Sequence, residues 1–118
     1  MLGTWLVRVW VDLPRLQHGF REAARAMQAT PPEVGLCAIG EFPGRRLRYY
    51  ITRDLIILRN RDDFDQFVQR YPAIICADMT SMLEKVAVYE RDIVAFLSQH
   101  GASNRHYDIV VYTFGKAL

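Results

Sequence analysis

Four apolar runs of strand length, separated by stretches with helical spacing of apolar residues, constrain this chain more than any other feature. The runs are Val34 to Phe42, Leu55 to Leu58, AIICAD ending at Asp78, and YDIVVYTF from Tyr107 to Phe114. Their continuous apolar character suits strands covered on both faces, as in a sheet sandwiched between helices. Between them, Pro14 precedes a stripe at Leu16, Phe20, Ala24 and Met27, which predicts a helix over 14–28 ended by Thr30, Pro31 and Pro32. Residues 44–52 read as a short arginine-rich helix with Leu47, Tyr50 and Ile51 turned inward, in preference to the first arm of a hairpin. Asn60 is placed to cap a helix over 61–70 whose stripe is Phe64, Phe67, Val68 and Tyr71. Ser81 and Glu84 have capping-box spacing, and the helix they start carries its stripe to about Gly101, a left-handed C-cap, before the loop SNRH.

This order predicts an α/β fold: a small three-layer open sheet of about four mostly parallel strands with helices on both faces. The N-terminal segment LGTWLVRVWV leaves an alternative open. Residues 1–13 are either a first strand, in which case a ferredoxin-like α+β core becomes the rival topology, or the trailing end of a membrane helix. Residues 14–118 form a single domain, since 118 residues suffice for one hydrophobic core and not two.

Charge and composition exclude more than they select. An apolar content of 51% with 24% charged residues is that of a folded globular chain and excludes a disordered one. Net charge is only +2, too small for a strong long-range attraction to nucleic acid, which makes nucleic acid an unfavoured partner. The charge is unevenly spread: residues 1–61 hold ten arginines against five acids, and residues 62–118 hold five cations against eight. Cys37 and Cys76 sit inside apolar runs and read as small buried hydrophobes. No stretch reaches the roughly 18 consecutive apolar residues of a membrane span.

Nothing in the spacing of His18, His100, His106 and the cysteines points to a metal site, and no phosphate-cradling glycine motif or nucleophile elbow is present. No catalytic residue and no cofactor is therefore assigned. Asp78, at the end of its strand, reads as a cap for the next turn. The segment 41–64 stands apart, because it carries six of the thirteen arginines, interleaved with Tyr49 and Tyr50. Such a mixture can hold phosphate by charge and stacking, so Glu41, Arg45, Arg46, Tyr50 and Arg53 are the candidate ligand-binding residues.

Three pieces of the chain resemble one family. They are the helix from Pro14 leading to VGLCAIGEFPG, the run LRYYITRDLIILRNRDDFDQFV, and YPAIICADM followed by a helix and the terminal YDIVVYTF. The pattern resembles the C-terminal extramembrane domain of multi-spanning glycosyltransferases that use polyprenyl-phosphate sugars, the protein-mannosyltransferase-like and aminoarabinose-transferase-like superfamily. The resemblance implies an accessory domain of a bacterial membrane enzyme on the extracytoplasmic side, without a complete active site of its own. It implies as partners the membrane-embedded portion of the same protein and an anionic phosphate or lipid-linked sugar, and makes residues 1–11 the exit of the last membrane helix. The alternative from another class is a stand-alone, cytoplasmic α/β or ferredoxin-like module for ligand binding or dimerisation.

Overall fold

The computed structural model of the protein describes the backbone of residues 2–79 and 88–115, with side chains from residue 15 onward. Helix α1, Leu2–Gln28, is a single run of 27 residues, about 40 Å at 1.5 Å per residue. It is followed by β1, Gly35–Ile39, α2, Glu41–Tyr50, β2, Leu55–Leu58, α3, Arg61–Arg70, and β3, Ala73–Met79. Helix α4, Val88–His100, then leads into the hairpin of β4, Ala102–His106, and β5, Ile109–Gly115.

The five strands form one open sheet in the order β2-β1-β3-β5-β4. β1 pairs in parallel with β2 and β3, while β5 runs antiparallel to both β3 and β4. Side chains alternate between the two faces of the sheet, and each face has its own core. Leu36, Ala38, Leu55, Ile57, Ile75, Ala77, Ile109 and Val111 pack beneath Phe20, Ala23, Ala24 and Met27 of α1 and Leu47 of α2. Cys37, Ile39, Leu58, Ile74, Cys76 and Tyr112 pack against Phe64 and Phe67 of α3 and Ile93 and Leu97 of α4. The architecture is the expected three-layer α/β sandwich. Strand runs without alternation follow directly, since neither face of β1 or β3 meets water.

Several local expectations hold in detail. β2 occupies Leu55–Leu58, and the Asn60 side chain caps α3 by accepting from the Asp63 amide at 2.8 Å. The Asp63 carboxylate in turn accepts from the Arg59 amide at 3.0 Å, so both sides of the helix start are tied down. Thr30 closes the end of α1, its hydroxyl donating to the Met27 carbonyl at 2.6 Å.

Five expectations need correction. Residues 2–13 are helical and continuous with α1, so they are not a first strand and the ferredoxin-like rival falls. Pro14 lies inside that helix, not at its start; lacking an N–H, it removes one hydrogen bond from the ladder. α2 begins at Glu41, three residues before the predicted start, because Gly40 at φ 95° makes the turn out of β1 and Pro43 is accommodated in the first helical turn. The sheet has five strands, not four: ASNRH, a loop by composition, is the edge strand β4, held by backbone pairing to β5. Gly101 is not left-handed, yet glycine is required there, since a Cβ would stand 2.3 Å from the Thr113 carbonyl oxygen. The predicted capping box at Ser81 and Glu84 lies outside the described residues.

Candidate functional site

In open α/β sheets the crevice at the carboxyl ends of the strands, where successive crossovers diverge, is the usual ligand site. Here that point lies between β1 and β3, since β1 leads by way of α2 to β2 on one side and α3 returns the chain to β3 on the other. Ile39, Gly40, Glu41, Pro43, Asp78 and Glu90 line it, enclosing only about 90 Å³. Ligand pockets typically occupy about 300–1,000 Å³, so this crevice is too small for one. Two of its three acids are also committed: Glu41 accepts from Arg45 at 2.9 Å and from Arg59, and the buried Asp78 is already engaged. The hydrogen bond from Arg59, and then that from Arg45, hold the Glu41 carboxyl below its ordinary value against a smaller opposing effect of desolvation.

A larger concavity opens on the other side of α2. Gln17 of α1 and Phe42, Arg45, Arg46, Tyr49 and Tyr50 of α2 line a groove of about 630 Å³. It continues through Tyr50 into a shallower recess of about 320 Å³ lined by Arg21, Ala24, Arg25 and Gln28. Helical spacing builds both walls. Gln17, Arg21 and Arg25 lie four residues apart along one stripe of α1, and Phe42, Arg45, Arg46 and Tyr49 are three and four apart on α2. The aromatic rings carry the arginines: Arg21 lies 5.9 Å from the centre of the Tyr50 ring and Arg46 lies 5.4 Å from that of Phe42. Tyr49 stands edge-on to Tyr50 at 5.4 Å and is 85% exposed. Among the described residues, Arg21, Arg25 and Arg46 have no carboxylate partner.

The sequence-predicted set is thus divided. Arg45, Arg46 and Tyr50 come together in the groove, whereas Glu41 turns away to bridge Arg45 and Arg59. Arg53 is placed elsewhere: its guanidinium donates to the Thr30 carbonyl at 2.8 Å and to those of Pro31 and Val34 at 2.9 Å each, closing the loop between α1 and β1. Arg48 is likewise occupied, by the Leu55 carbonyl at 3.0 and 3.1 Å, and Arg61 pairs with Asp65. The arginines of segment 41–64 therefore do not form one basic surface. Gln17, Arg21, Arg25 and Phe42 were missed, although the four-residue spacing of the first three was a visible signal of a common helix face.

Charge follows the layers of the fold. α1 from residue 15 together with α2 carries six arginines against two carboxylates, and α3 with α4 carries three arginines against five carboxylates. Among the described residues no group of histidine, cysteine and acidic side chains is arranged to hold a metal ion. No family model matches the chain, and neither does any curated protein or solved structure.

Proposed function

We propose that this chain is the accessory extramembrane domain of a bacterial integral membrane glycosyltransferase, on the extracytoplasmic side and non-catalytic in isolation. The observation that carries this reading is the course of α1. Residues 15–22 of this helix lie against the β4–β5 turn, where Arg15 reaches Asp108 at 3.4 Å and Glu22 lies 3.6 Å from His106. That turn stands at the same edge of the sheet as the carboxyl ends of β1 and β3, because Ile109 pairs with Met79. The preceding turns of α1 run on past this edge as an unbroken helix. A helix that enters the domain in this way supports a rigid connection to a neighbouring part of the same protein.

No helix among the described residues is long and apolar enough to cross a membrane. In this reading α1 is the link between the membrane-embedded portion and the sheet, and Trp5 and Trp10 fall on the segment nearest the membrane surface. The groove between α1 and α2 gives the domain a face for an anionic group of the donor or acceptor. The test has two arms. The reading frame containing this segment is expected to encode hydrophobic spans ahead of α1, and the purified 118-residue chain is expected to show no sugar transfer or hydrolysis. A frame without such spans, or turnover by the isolated chain, overturns the reading.

A further inference from the structure

We propose that the groove between α1 and α2 is a binding site for a phosphate monoester whose organic part is flat or apolar, with Arg21, Arg25 and Arg46 as its anion-binding residues. Three features of the groove define that chemistry. Its cations are available: among the described residues none of the three faces a carboxylate, unlike Arg45, Arg59 and Arg61, each of which does. They are arginines, whose planar forks donate two parallel hydrogen bonds to phosphate oxygens. The three come from two helices, with Arg46 of α2 in the main groove and Arg21 and Arg25 of α1 in its extension, the two compartments meeting at Tyr50.

The remaining surface calls for more than an inorganic ion. Phe42 and Tyr49 are 41% and 85% exposed, an unusual amount of aromatic surface for side chains flanked by cations. Tyr50 is shared by the groove and its extension and already stacks beneath Arg21, so one ligand can span both compartments across this ring. The main groove's volume, about 630 Å³, lies within the range of pockets for small organic ligands. The basic excess of this layer, set against the acidic layer of α3 and α4, favours entry of an anion from this side. The inference stands on the groove alone and does not depend on the glycosyltransferase reading.

A lipid chain and a nucleoside are the two carriers of a phosphate monoester that fit an apolar or a flat organic part, and titration calorimetry with the 118-residue chain distinguishes the two. The probes are dodecyl phosphate below its micellar concentration, uridine monophosphate, inorganic phosphate and a single-stranded oligonucleotide. One of the first two is expected to bind at least tenfold more tightly than inorganic phosphate, and which one does identifies the source. Arg21→Gln and Arg46→Gln are each expected to weaken that binding about tenfold, the loss of one charge-assisted hydrogen bond. Arg70→Gln, on the opposite layer, is expected to leave it unchanged. Arg21, Arg46 and Arg70 are exposed, and circular dichroism of each variant checks that the fold is retained. Binding of neither monoester, binding indifferent to Arg21 and Arg46, or binding of the oligonucleotide alone overturns the proposal.

Discussion

Arg53 offers the sharpest test of how this fold is held together, because the sequence presents it as a ligand-binding arginine and the structure uses it as a clamp. Its guanidinium makes three hydrogen bonds of 2.9 Å or less, to the carbonyls of Thr30, Pro31 and Val34. These carbonyls belong to the segment joining α1 to β1, where Pro31 and Pro32 cannot donate and regular pairing is absent. Arg53→Met keeps most of the apolar stem and removes the donors. A hydrogen bond to a charged group contributes about 1.5–3 kcal/mol when buried, but the site is partly exposed and water replaces part of each bond. At about 1 kcal/mol each, the substitution is expected to cost about 2–3 kcal/mol. With a urea slope on the order of 1.5 kcal/mol/M, the unfolding midpoint falls by roughly 1.3–2 M with no change in slope. Arg53→Lys keeps the charge without the fork and is expected to recover about half of the loss. If Arg53→Met shifts the midpoint by less than about 0.3 M and instead abolishes phosphate-ester binding, the clamp reasoning is refuted.

Three further outcomes follow from the structure. Gly101→Ala would place a Cβ 2.3 Å from the Thr113 carbonyl oxygen, a backbone atom that cannot rotate away, and is expected to destabilise by about 1–3 kcal/mol in the same urea titration; a neutral result would contradict the close approach. Glu41 has its pKa lowered by hydrogen bonds from Arg59 and then Arg45, so its stabilising contribution is present above the unfolded value and is lost as pH falls through the folded one. The stability difference between the native chain and Glu41→Gln should therefore close as pH drops below the ordinary value of 4.5, and a difference that stays constant from pH 7 to 3 argues against the pairing. Cys37 and Cys76 are fully buried partners on adjacent strands, and burial, with the neighbouring Cys76 thiol adding to it, pushes the Cys37 thiol up. Ellman's reagent is expected to leave both thiols untouched in the native protein and to titrate both in denaturant; fast reaction of the native protein would show that this core opens.

Elements whose causes are local were legible along the chain. Short apolar runs bounded by turn residues read as strands, so β1, β2 and β3 were legible, and β1 and β3 are indeed buried on both faces. The Asn60 cap and the acids after it specify the start of α3 within four residues of chain. The amphipathic stripe from Leu16 to Met27 likewise fixed the buried half of α1. What the sequence left open depends on partners far along the chain. ASNRH becomes a strand because β5 supplies its hydrogen-bonding edge, and no propensity of those residues demands it. Arg53 and Arg46 are the same residue type within one segment, yet one closes a loop formed more than twenty residues earlier while the other faces an open groove. Only packing α1 against α2 brings Arg21 and Arg25 beside Tyr50 and joins their recess to the groove that holds Arg46, since the candidate grouping lies between two helices and belongs to neither.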